Sequence, residues 1–182
     1  MSNFYNILIS KILNEIMPAS KISISKGNKI FGAALLKKTD LSTVVIGTNN
    51  EIVNPLYHGE ISTIFKYFNL NLNKQIKPTE CIFLSTHESC SLCLSAITWS
   101  GFDNFYYFFP YSDTKNSFNI PHDLKILKEV FKINSGNYKK TNKFWKSYSI
   151  IQNISKINNR EKQLLYVKVN NIYKEYNKLS KT

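Results

Sequence analysis

Residues 81–109 read CIFLSTHESCSLCLSAITWSGFDNFYYFF. The apolar run CIFLST is strand-like, a helical pattern begins near Cys90, and the aromatic run NFYYFF is a further strand closed by Pro110. Toward the N-terminus, KIFGAALL and STVVIGT are two β-type runs separated by KKTD, which reads as an antiparallel hairpin with a short polar connection. Between the hairpin and residue 81, a helical pattern from about His58 to Leu70 puts Ile61, Ile64, Phe65 and Phe68 on one face. Ahead of the hairpin, Phe4, Ile7, Leu8, Ile12 and Ile16 recur at helical spacing after Ser2, and Pro18 ends that run. An antiparallel start followed by helix–strand alternation predicts an α/β fold, a three-layer α/β/α domain with a mixed central sheet.

Beyond residue 109, HDLKILKEVF (122–131) is amphipathic, with Leu124, Leu127 and Phe131 inward. From about Ser135 the strand signal is lost and Asn and Lys abound, while Phe144, Trp145, Ile150 and Ile151 point to docked C-terminal helices. After Asn159, the residues Leu165, Val169, Ile172, Tyr176 and Leu179 follow the step pattern of a helix seam. Such a stripe is expected to pack on its own domain, a dimer contact being the alternative.

The 182 residues, 43% of them hydrophobic, fit one domain with a sizeable core. No apolar run approaches the roughly 18 residues that span a bilayer. The amphipathic N-terminus, with Lys11 and Glu15 inside it, is no signal peptide. A cytoplasmic protein with no membrane partner is the expectation. The net charge of +12 favours polyanions, but nearly all the cations are lysines scattered singly and Arg160 is the only arginine. Clustered arginines, the usual mark of a nucleic-acid reader, are missing.

Three cysteines, two of them in CxxC spacing, argue against a disulfide framework and for a metal or redox pair. Cys81, among aliphatic residues, reads as a small core hydrophobe. Cys90 and Cys93 lie about 300° apart around a helix, hence on nearly one face, and a helix start lowers thiol pKa values. In NPLYHGEIST (54–63), His58 likewise stands at a helix entry, and helices that follow neighbouring strands start at one sheet edge. His58 can therefore supply the third ligand. Three protein ligands leave the fourth zinc position to water, whose pKa falls to about 7. Glu60, two residues after His58, reaches the same site only because it sits near the helix entry, and it is suited to take that water's proton. Two other readings stand beside this one: a thioredoxin-like redox pair, and a closed structural zinc completed by His87. Neither accounts for Glu60.

His58-x-Glu60, followed thirty positions later by Cys90-x-x-Cys93, resembles the zinc-dependent cytidine/deoxycytidylate deaminase superfamily. The likeness extends from about Phe31 to Phe109. FGAALL is similar to the family's early strand, GTNN to its substrate loop, and NPLYHGE to the DPTAHAE of the tRNA adenosine and guanine deaminase branch. It implies zinc on His58, Cys90 and Cys93, Glu60 as proton shuttle, Asn49 touching the base, and a homodimer. The expected division is a zinc-dependent deaminase domain over 1–134, with 135–182 a helical extension docked on it. Two positions depart from the signature. Ser89 replaces the proline before the first cysteine and is expected to act as a helix N-cap. Gly59 replaces alanine, leaves its N–H to a substrate oxygen and adds pocket room.

The expected reaction is hydrolytic deamination of a nucleobase, nucleoside or nucleotide, with the loop at 69–80 and the C-terminal helices walling the pocket. A tRNA substrate is the alternative, favoured by the charge and the adenosine-deaminase-like motif. A non-catalytic nucleic-acid-binding protein with a structural zinc is the third reading. His87 and Glu88 read as polar residues finishing a strand, and His122 as a helix-start residue. Trp99, Phe102, Phe105 and Tyr106 read as core aromatics before base-stacking ones, and Asn49 has a plain alternative as a turn residue.

Overall fold

The computed structural model describes residues 2–181. The chain opens with α1 (Ser2–Lys11), a π-helical stretch (Ile12–Ile16) and α2 (Met17–Ile24) in unbroken succession. From sequence alone this helix ends at Pro18, whereas the structure carries it on to Ile24. Proline lacks an N–H and crowds the carbonyl four residues back. The wider π turn just before it absorbs that conflict, so the helix continues through Pro18.

The remaining elements are β1 (Gly32–Lys37), β2 (Thr43–Thr48), α3 (Gly59–Asn69), β3 (Cys81–His87), α4 (Ser91–Trp99), β4 (Asn104–Phe109), the short α5 (Tyr111–Asn116), α6 (His122–Phe131), β5 (Lys146–Ser149), α7 (Ile150–Ser155) and α8 (Asn159–Leu179). The sheet order is β2-β1-β3-β4-β5. β1 is antiparallel to both β2 and β3, while β3, β4 and β5 run parallel. The mixed three-layer α/β/α sheet is as expected, but β5 is not: the segment after residue 135 contributes a strand as well as helices. KSYS (146–149) is a four-residue edge strand with one large apolar group, Tyr148, which stacks on Tyr106 of β4 with ring centroids 4.6 Å apart. Too few residues alternate there to leave a strand signature.

Alternate residues serve opposite faces of the sheet. Ala34, Leu36, Ile82, Leu84 and Phe108 pack with α1, α2, α7 and α8, while Ala33, Leu35, Phe83, Phe105 and Tyr107 pack with α3 and α4. Burial on both faces explains the unbroken apolar runs of β1 and β3. The α8 stripe docks on its own domain, with Leu165, Val169, Ile172 and Tyr176 buried. Some inward assignments fail. Phe65, Phe68 and Phe131 are exposed, because Ile61, Ile64 and Tyr67 form the inner stripe of α3 and Leu127 anchors α6. Trp99 is 92% exposed, while Phe102 and Phe105 are core. No described helix is long and apolar enough to cross a membrane.

The topology fixes where chemistry can be assembled. β2 and β3 are both antiparallel to β1, so their C-terminal ends share one edge. The helices after them, α3 and α4, start there, as does α5 after β4. The 11 residues of α3 run about 16 Å away from that edge. The loop at 69–80 therefore leads away from that edge, with Asn69 at its start lining an open cleft that also includes Asn49.

Candidate active site

Two helix entries meet at this edge. His58 is the N-cap of α3 (φ −64°, ψ 162°) and Cys90 the N-cap of α4 (φ −67°, ψ 171°), both in extended conformation. Neither side chain caps its own helix. His58 Nδ1 lies 3.5 Å from Cys90 Sγ and 3.7 Å from Cys93 Sγ, and all three ligand atoms fall within 4.8 Å of one another. A tetrahedral zinc with bonds of about 2.0–2.3 Å spaces its ligands by about 3.5–3.8 Å. One imidazole and two thiols at that spacing fit a zinc ion with its fourth position open. This is the only such cluster among the described residues. His87 is not part of it, so the closed four-ligand arrangement has no support.

Charge is already partly arranged for a metal. Hydrogen bonding from Cys93, aided by His58, holds the Cys90 thiol down at about 5 against the effect of burial. The Cys90 thiolate raises His58 to about 9. Burial pushes the Cys93 thiol well up, and the neighbouring Cys90 adds to this. These shifts favour the thiolate on Cys90 and retention of a proton by Cys93 and His58 while the metal is absent. Zinc uptake is expected to displace one proton from Cys93 and one from His58 but none from Cys90. Calorimetric titration in buffers of different ionisation enthalpy measures this release directly.

Glu60, the second residue of α3, is 0% exposed. Its Oε1 accepts the hydroxyls of Ser89 (2.8 Å) and Ser85 (3.2 Å), and His87 Nε2 stands 3.9 Å away. Burial raises its pKa, but His87, the backbone N–H, Ser89 and His58 outweigh burial and hold the carboxyl below its usual range. The His87 ring stacks on Phe31 at 4.0 Å. Ser89 is not the N-cap expected from sequence: Cys90 occupies that position, and the serine hydroxyl points to Glu60 instead.

Asn49 is 3% exposed and fixed from several sides. Its N–H donates to the Phe31 carbonyl (3.0 Å), its carbonyl accepts the Ser23 hydroxyl (2.5 Å), and its Oδ1 accepts the Gly59 N–H (2.6 Å). That last bond occupies the N–H assigned from sequence to a substrate oxygen. Nor does Gly59 enlarge a pocket. A Cβ built there would lie 2.7 Å from Gly32 Cα and 3.1 Å from its N and C, all backbone atoms of β1. Gly59→Ala, although it restores the signature residue, is expected to cost about 1–3 kcal/mol through overpacking. A thermal melt should show a drop of about 2–12 °C.

Two features escaped the sequence reading. Asp123, near the start of α6, has its carboxyl raised to about 6 by burial and then by the Cys90 thiolate, with smaller effects from His87, His58 and Glu60. It is therefore a second carboxyl within electrostatic reach of the site, brought there by the α5–α6 connection and marked by no local motif. Glu88 is buried and accepts the Tyr111 N–H (3.1 Å), the Tyr138 hydroxyl (2.9 Å) and the Lys140 ammonium. Lys140 Nζ also lies over the Tyr138 ring, 3.6 Å from its centroid. Residues 138–140 thereby tie the C-terminal segment to the turn that carries Cys90.

The profile of the family described as "Cytidine and deoxycytidylate deaminase zinc-binding region" matches residues 9–109. A search of curated proteins finds no significant match. Among solved structures, a guanine deaminase from Bacillus subtilis is similar with TM-score 0.55 and 23% identity, over 71% of this chain and 83% of that one. The guanine deaminase from Nitrosomonas europaea is similar with TM-score 0.53 and 14% identity, over 85% and 80% of the two chains. At these identities the likeness concerns the fold, a cytidine deaminase-like α/β arrangement.

Proposed function

We propose, for a chain that belongs to the cytidine and deoxycytidylate deaminase family of zinc-dependent hydrolases, that the substrate is a free purine base and that Glu60 carries the proton. One observation carries the reading: a fully buried carboxyl, held below its usual range by its neighbours, lies beside a His–Cys–Cys cluster that could hold a metal with three ligands. In the reaction, water adds its oxygen to the amino-bearing ring carbon, the C–N bond breaks, and ammonia leaves.

His58, Cys90 and Cys93 would hold the zinc. When bound, zinc supplies Lewis acidity that makes a water nucleophilic near neutral pH. Glu60, already ionised, accepts a proton from the attacking water and passes it to the departing amine. Asn49 has its Oδ1 engaged by Gly59 and one Nδ2 hydrogen by Glu51 (3.3 Å), so in this reading the second Nδ2 hydrogen is the one left for the base. In this reading Gly59 acts through Asn49.

A free base is favoured because two carboxyls, Glu60 and Asp123, serve the site, and a phosphate close to them would be repelled. Asp123 would accept N–H groups of an aminopurine. The two guanine deaminases of similar fold agree with this choice. A second reading, RNA, draws on an open cleft lined by Lys26, Asn49, Asn50, Tyr57, Phe65 and Lys66. Two cations and two aromatic rings there suit a polynucleotide. Ammonia release from bases, nucleosides, nucleotides and unmodified tRNA separates the two. Turnover highest for a free purine supports the first; turnover of tRNA alone, falling steeply with salt, supports the second.

A further inference from the structure

We propose that Ser89 is a positioning residue for Glu60: with Ser85 it ties Oε1 of the carboxylate, leaving Oε2 as the oxygen that carries the transferred proton. This rests on the reading of Glu60 as proton carrier and adds which oxygen works and what selects it.

A carboxylate oxygen offers two lone-pair positions. On Oε1 both are taken, by Ser89 Oγ at 2.8 Å and Ser85 Oγ at 3.2 Å, with His87 Nε2 behind them at 3.9 Å. Oε2 is buried and has no hydrogen-bond partner. A buried carboxylate oxygen left without a donor is costly, and such an atom in a native site calls for a partner that arrives with the chemistry. The attacking water and the departing amine are such partners.

The tie is built to be stiff. Ser85 lies within β3 and is fully buried. Ser89 is held from behind, its carbonyl accepting the Tyr111 hydroxyl at 2.5 Å. Its neighbour Glu88 is fixed by Tyr111, Tyr138 and Lys140. Because Cys90 takes the N-cap position of α4, the Ser89 hydroxyl is left free for Glu60. The terminal torsion of a glutamate is broad and roughly two-fold, so without a tie the two oxygens exchange places readily. Ser89 supplies the shorter bond, and it reaches from one helix entry to the other.

The test uses Ser89→Ala, Ser89→Thr and Ser85→Ala in the full chain, with Glu60→Gln in parallel. Ser89→Ala is expected to lower kcat about 10- to 100-fold, the scale of a misplaced catalytic group, with KM and zinc content unchanged. Ser89→Thr, which keeps the hydroxyl, restores most of the loss, and Ser85→Ala has a smaller effect on kcat. A crystal structure of zinc-loaded Ser89→Ala should show the Glu60 carboxyl rotated or in two orientations. The proposal is overturned by unchanged kcat and an unmoved carboxyl in Ser89→Ala, or by a loss that appears as zinc depletion or raised KM. If Ser89→Ala does not fold, an unaltered kcat in Ser85→Ala overturns it. Should Glu60→Gln retain wild-type turnover, the proton-carrier reading itself fails. An inactive Glu60→Gln beside a fully active Ser89→Ala removes the Ser89 proposal alone.

Discussion

Glu60→Gln is expected to keep its zinc and to lose at least about 100- to 10,000-fold in kcat, the range of a positioned general acid–base group. Glutamine preserves the shape of the side chain, and its amide oxygen can still accept the hydroxyls of Ser89 and Ser85. What it cannot do is take a proton from water at neutral pH. Glu60 is not one of the three clustered ligands, although its carboxyl lies close enough to couple to Cys93, so metal content is expected to stay at one zinc per chain. Metal analysis alongside an ammonia assay reads both halves of the prediction. A Glu60→Gln protein that turns over like wild type would remove the carboxyl from the chemistry.

The second large effect is on stability. His58 and Cys90 are the N-caps of α3 and α4, and neither helix start is capped by its own side chain. A zinc held by His58, Cys90 and Cys93 would join two helix entries. With free zinc about 1,000-fold above its dissociation constant, binding stabilises the folded state by about 4 kcal/mol. For a chain of this size that is about 8–16 °C in Tm. A chelator should remove this increment from wild type and change nothing in Cys90→Ala. Acid should act like the chelator. In the metal-free site His58 is raised to about 9 and Cys93 is pushed up, so protons compete with zinc as the pH falls through neutrality. The chelator-sensitive part of Tm is thus largest at alkaline pH and shrinks toward acid. Equal sensitivity in wild type and Cys90→Ala would place the zinc elsewhere.

The cluster was legible in the sequence because its members are tied to local signals. Cys90 and Cys93 follow an apolar strand at a helix start, and His58 and Glu60 open the next amphipathic helix upstream, so strand direction alone brings them together. Other features depend on partners distant in sequence. Ser89 meets Glu60, and Gly59 meets the backbone of Gly32, only after α3 and α4 dock on the sheet. No local pattern distinguishes a serine that caps a helix from one that binds a carboxylate across it. Pro18 was misread because a π turn, invisible in composition, can carry a helix through proline. β5 was missed because four residues at a sheet edge show too little alternation.

Zinc-dependent ammonia release tests the central claim most directly. The protein would be stripped with a chelator, divided, and assayed with guanine, other bases, nucleosides, nucleotides and tRNA, with and without one equivalent of zinc. The expected result is ammonia in step with substrate loss, absent from the stripped sample and restored by zinc. Full zinc occupancy with no ammonia from any of these substrates would contradict it.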